Sequence, residues 1–386
     1  TEKALLENTG QINAQGGSVA LTANAAKGLV DNVINMEGVT TVSSVEQKGG
    51  KIVLQGGESG TVRVAGELDA SGTDGGDIDV RGLDIDVTQD ATVNANAIDN
   101  GDGGQIIAFA DRNGFFAGDF LARGGLNGGD GGFIETSAKG SVGILGNFDT
   151  SAPEGEAGEW LIDPRNLNII NFPLNFFIDK NVEGDVLKPN AGSFFFINPQ
   201  NSFLYSGTLL SALSDNSKVT VQTVDNGTPG AGNINVFAQI DNSSKTSSLD
   251  LQAWNNINIY NNITMGGGDL TLLAGYDVIN SQFRANNTSN INVSANIATN
   301  GGDFTASAND MEINAGINVT NETESGSVNI FRSSAGYLTL GNGNINYKSG
   351  TNNVLELKQT ELNFLTADKM HFGRDNSADN NVMELN

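Results

Sequence analysis

Cysteine is absent from this 386-residue chain, histidine occurs once (His371) and proline only six times. Without thiols there is no disulfide framework, no zinc–thiolate site and no cysteine nucleophile. The sole histidine lies near the C-terminal end, so no histidine-based dyad is expected in a central groove. Positive charge is scarce as well: 20 Lys and Arg face 45 Asp and Glu, a formal net charge of −25. Such a surface repels phosphate backbones, and nucleic acid is not an expected partner. No apolar run approaches the roughly 18–20 residues that span a bilayer, so no membrane insertion is expected. Residues 1–7 lack the basic head and apolar middle of a signal peptide, and the chain reads as part of something longer.

Glycine (50) and asparagine (51) are abundant, and 38% of residues are hydrophobic. The apolar residues come in short alternating bursts, the period-2 signature of strands: Ile52-Val53-Leu54, Ile78-Asp79-Val80, Leu249-Asp250-Leu251, Leu270-Thr271-Leu272. Helical spacing is nearly absent, its best candidate being Thr208–Leu213. A Gly-Gly pair opens strand-like segments at Gly16, Gly49, Gly75, Gly103 and Gly131, and again at Gly267 and Gly301. The first five are spaced by 33, 26, 28 and 28 residues, and one period holds three bursts, as in 78–80, 84–87 and 91–95. Three short strands with Gly, Asn and Asp corners describe one triangular coil of an all-β parallel β-helix. Stacking pairs each coil's backbone with the next, corners calling for φ > 0 suit Gly and Asn, and stacked Asn can form amide ladders. A propeller would repeat at ~40–50 residues with aromatic signatures, which are not seen.

Composition divides the chain. Residues 1–160 hold 31 of the Gly but only 11 of the Asn, and all six Pro fall between Pro153 and Pro229. Proline cannot donate to a ladder, and the aromatic-rich interval 161–215 reads as an insertion or irregular coil near the middle. It separates a Gly-rich β-helix segment, 1–160, from an Asn-rich one, 216–386.

Three strings carry a resemblance: Gly131-Gly132-Phe133-Ile134-Glu135-Thr136-Ser137-Ala138-Lys139, Asp149-Thr150-Ser151-Ala152-Pro153 and Gly158-Glu159-Trp160-Leu161-Ile162-Asp163-Pro164. Together they are similar to the shaft of filamentous-haemagglutinin-like exoproteins, large adhesins of two-partner secretion; Ala138 stands where that family usually has Gly. The resemblance implies a right-handed β-helix, no enzyme, and a secreted or bacterial outer-surface location. It also implies attachment to host-cell receptors, other bacteria or a glycan such as exopolysaccharide, with an outer-membrane secretion partner for the full-length protein. The rival readings are a β-helical polysaccharide lyase or hydrolase, and a passive stalk holding a distal toxin or tip domain.

Three residue groups are candidate sites. Phe176, Phe177, Phe194, Phe195 and Phe196 place at least one ring per run outward if extended, for ligand stacking or as a local cap. Asn226, Asn242, Asn262, Asn286, Asn287, Asn292, Asn318 and Asn321 form Asn-x-Ser/Thr sequons, as glycosylation acceptors or as a product of composition. Asp77, Asp79, Asp84 and Asp86 crowd one coil, as calcium ligands or as solvated turn carboxylates; no other cofactor is expected. Trp160 and Trp254 read as core or corner packing.

Overall fold

In the computed structural model the described residues are 4–24, 32–44, 49–58, 60–171, 202–214, 217–224, 232–284, 288–333, 337–341, 345–347, 354–374 and 382–385. They build a parallel β-helix, as the alternating bursts and Gly-Gly period predict, and it is right-handed, as the resemblance implies. Contacts divide the chain into two units, 1–164 with 172–219, and 165–171 with 220–386. The five phenylalanines of the aromatic interval lie outside the described residues, as does most of that interval (172–201).

Each coil of the first unit crosses three faces. The first face stacks Ser18–Thr22, Lys51–Gln55, the first halves of Asp77–Val87 and Gln105–Phe116, then Phe133–Ala138 and Glu159–Ile162. The two long strands bend at a register shift between Ala110 and Asn113 and continue into the second face. That face also holds Asn32–Met36, Thr61–Val64, Ser141–Ile144 and Phe203–Tyr205. The third face is six parallel three-residue strands, from Gln11–Asn13 to Asn147–Asp149. The register places one inward residue per coil in columns. Val19, Ile52, Ile78, Ile106, Ile134 and Trp160 form one; Leu68, Val93, Phe120 and Phe148 another. These side chains are buried, and the columns are the core.

The predicted short helix is α1 (Ser206–Ser214), which buries Leu209, Ala212 and Leu213 at i, i+3, i+4 spacing. It covers the last strand of the third face. The Thr208 hydroxyl donates to the Gly146 carbonyl at 2.9 Å, and Ser211 donates to Asn147 Oδ1 at 3.1 Å. A helix with hydroxyls on its contact face thus protects an edge that otherwise presents unpaired backbone groups.

In the second unit the core columns are Leu249, Leu270, Phe304 and Val328; Ile234, Ile257, Ile291 and Met311; and Ile240, Ile263, Ile297, Ile317 and Leu365. Asparagine ladders flank them as predicted. Asn168, Asn235, Asn258 and Asn292 pass one amide bond per coil, Nδ2 to Oδ1, at 2.9, 2.8 and 2.7 Å. Asn166, Asn233 and Asn256 each accept the backbone N–H of the asparagine one coil on, the last being Asn290. Breaking the first ladder with Asn258→Leu should cost about 1–3 kcal/mol, because Asn235 and Asn292 both lose a half-buried partner. Chemical denaturation of the full chain reads this, and an unchanged midpoint would show the ladder to be energetically idle.

The corner glycines bear out the sequence reading at Gly16, with φ 64, and correct it at later pairs of the first unit. Among the described residues left-handed backbone outside glycine occurs only at Ser281 and Asn300, and the first-unit pairs Gly75-Gly76, Gly103-Gly104 and Gly131-Gly132 are not left-handed either. Their need is room. A Cβ on Gly104 would fall under 3.0 Å from the Gly76 carbonyl oxygen, and one on Gly132 equally close to that of Gly104. In the second unit the first glycine of each pair does need its freedom, Gly267 at φ 107 and Gly301 at φ 111.

Candidate functional site

Side-chain-free corners stacked coil upon coil leave a groove. In the first unit it has a volume of about 670 Å³ and runs across successive coils over the backbone of Gly75, Gly103, Gly104, Gly131, Gly132 and Gly158. One wall is the first outward position of the first face, where Asp77, Gln105, Phe133 and Glu159 stand in register, with Lys218 also lining the groove. The other wall holds Asp74 and Asp102, set just before the corner, and their exposed column continues past the groove lining through Asp130 and Glu156. A hydrogen bond orients each of the three aspartates. Oδ1 of Asp74 accepts the backbone N–H of Asp102 at 3.3 Å, Asp102 that of Asp130 at 2.8 Å, and Asp130 that of Glu156 at 2.8 Å. The groove thus combines a bare peptide floor, one aromatic ring and rigidly held carboxylates. Its sequence signal is the string Asp-Gly-Gly at 74, 102 and 130, an acid at a fixed offset from the corner. Phe133 carries no signal of its own, because only the register shows that it shares a row with Asp77 and Gln105.

The four aspartates considered for calcium sit on two faces, and three of them face guanidinium groups. Asp79 pairs with Arg81 at 2.8 Å, Asp84 with Arg112 through Nε at 2.9 Å and a second contact, and Asp86 with Arg63 at 3.4 Å. Asp77 belongs to the groove wall. Among the described residues no group of three or more His, Asp or Glu is placed to hold a metal ion. Stacking explains the outcome: the in-register neighbours of Asp77, Asp79, Asp84 and Asp86 on the next coil are Gln105, Ile107, Asn113 and Phe115, none of them an acid.

Burial pushes Asp86 up to about 6, against the opposing pull of the Arg63 guanidinium. Burial also raises Glu135 and Asp310. A carboxyl whose folded pKa exceeds its unfolded value of 3.8 binds its proton more tightly when folded. Its contribution is therefore full below 3.8 and is lost as pH rises through about 6. Acidification from pH 7.5 to 5 should stabilise the protein through Asp86 by on the order of 1 kcal/mol. The increment should shrink in Asp86→Asn. A denaturation midpoint that falls over this interval in the wild-type protein would contradict the assignment.

The sequons are dispersed. Asn262, Asn318 and Asn321 are exposed; Asn292 belongs to the amide ladder; Asn226, Asn286 and Asn287 lie outside the described residues. Asn242 is buried, and neither of its amide atoms has a hydrogen-bond partner among the described residues, so the folded protein offers no access there. Trp160 is in the core as predicted, while Trp254 is half-buried under the Arg284 guanidinium, 4.5 Å from the ring centre. The second unit also presents two features that alternation alone does not reveal. Phe237 and Tyr260 stack at 5.0 Å on successive coils, each half exposed, and the hairpin Tyr276–Phe283 carries Ile279 at its tip, 79% exposed.

Comparison with protein-family models and with curated proteins finds no match for this chain. Among the described residues no helix is long and apolar enough to cross a membrane. The site rests on its own geometry: a β-helical scaffold carrying a groove, an exposed aromatic pair and a projecting hairpin.

Proposed function

We propose that this chain is a shaft segment of a secreted or outer-surface bacterial adhesin, attaching its bearer to a glycan or a host-cell receptor through outward groups of its coils. The observation that carries the reading is the groove, open along successive coils and floored by peptide rather than side chains. Such a strip suits an extended polymer, which can lie along the stack and meet the same contacts at every coil. The filamentous-haemagglutinin-like strings at 131–139 and 158–164 contribute Gly131, Gly132, Phe133, Gly158 and Glu159 to this groove. A chain without cysteine also suits export in extended form through an outer-membrane partner, where a premature disulfide would block transit.

One observation favours the hydrolase alternative. Glu135, whose pKa is raised by burial, stands two coils from Asp79 in one outward row, and glycosidases work with a pair of carboxyl groups. The row lies on a sheet face with Ile107 between the two acids, so attachment is the better reading.

The test is binding of the purified chain to glycan arrays and whole cells, with reducing ends followed in parallel. Saturable binding without new reducing ends is expected. New reducing ends or unsaturated products would install the enzyme instead, and no binding to any glycan or cell would leave a passive stalk.

A further inference from the structure

We propose that the glycine-corner groove selects a cationic glycan, an amino-sugar chain bearing free ammonium groups, laid along the stack of coils. The inference rests on the attachment reading and names its ligand class. Charge is the first argument. Asp74, Asp77, Asp102 and Glu159 line the groove against the single cation Lys218, so uronate, sulfate and phosphate polymers meet like charge while ammonium groups meet their complement.

Pre-organisation is the second. The acids Asp74, Asp102 and Asp130 are each held through Oδ1 by a backbone N–H of the next coil, and Oδ2 has no hydrogen-bond partner among the described residues. A ligand ammonium thus meets carboxylates whose rotamers are already set, which lowers the entropy lost on binding. The floor is the third: no side chain covers Gly103, Gly104, Gly131 or Gly132, so a flat sugar ring can approach the peptide plane beside the Phe133 ring.

Spacing decides between polymers. Coils repeat at about 4.8 Å, close to the rise of one pyranose ring in an extended 1,4-linked chain, so rings keep pace with coils and every second ammonium faces the acids. An extended basic peptide shows side chains to one side only every second residue, about 6.8 Å, and drifts out of register within two coils.

The experiment titrates the full chain with a glucosamine hexamer, its fully N-acetylated counterpart, a galacturonate hexamer and oligolysine, at low and physiological salt. Asp74→Asn combined with Asp102→Asn is the matched variant, because the amide oxygen still accepts the backbone N–H and the stack keeps its bond. The glucosamine hexamer should bind at least tenfold more tightly than the acetylated one and weaken with salt, and galacturonate should not bind. The double variant should lose at least tenfold with an unchanged melting point. Equal affinity for the acetylated hexamer, tighter binding of oligolysine, or undiminished affinity in the variant would each overturn the cationic-glycan assignment. Attachment itself would stand in those cases if other glycans or cells still bound, and would fall only with a blank array.

Discussion

Gly104→Ala should destabilise the first unit by at least about 4 kcal/mol, a loss reserved for changes that force the backbone itself to move. The added methyl group would sit under 3.0 Å from three backbone atoms, Gly76 O, Gly75 C and Gly76 N, and none belongs to a flexible side chain. Relief requires parting the two coils at their closest point. That separation breaks the bonds from Gln105 N to Gly76 O and from Gly104 N to Ala95 O, which hold the corner together. Gly10→Ala is the matched control. Nothing lies within 4 Å of a Cβ there and its backbone is not left-handed, so the midpoint should stay within about 0.5 kcal/mol. Equal effects at the two positions would mean that the Gly-Gly period reflects chain flexibility rather than coil packing.

The contrast separates what the sequence alone makes legible from what it does not. The pairs at Gly75, Gly103 and Gly131 announce the coil through their spacing, and the alternation at Ile78-Asp79-Val80 says which residues turn inward. The reason for each glycine is not local. Gly104 needs room because Gly76 lies beneath it, 28 residues earlier, whereas Gly267 needs a left-handed backbone. The two look identical in the sequence. The candidate site follows the same division. Asp74, Asp102 and Asp130 share an offset from the corner, so their column can be read from the chain once the period is known. Asp84 and Asp86 look like their neighbour Asp79, yet they fall beyond a bend onto another face, buried against Arg112 and Arg63. Dihedral bends and register set that difference, and neither has a one-residue signature.

The second large effect is expected at Trp160. Its indole stacks on Phe148 at 4.0 Å and 6°, and Phe148 stacks on Phe120 at 4.9 Å and 15°, while Phe120 meets Phe116 edge-on at 6.1 Å. All four rings are fully enclosed and span successive coils, so this aromatic core ties the faces of the first unit together. Trp160→Ala removes the largest of these side chains and opens a cavity between strands that cannot close without breaking the register of Ile134 with residue 160. About 4–5 kcal/mol should be lost. The indole also donates to the buried Thr136 hydroxyl at 3.0 Å, which lets the polar part be measured separately. Trp160→Phe keeps a stacked ring and drops the donor, and should cost only about 1–3 kcal/mol. If alanine and phenylalanine at 160 lower the unfolding midpoint equally, the hydrogen bond rather than ring packing dominates, and stacking along the axis is not what stabilises these coils.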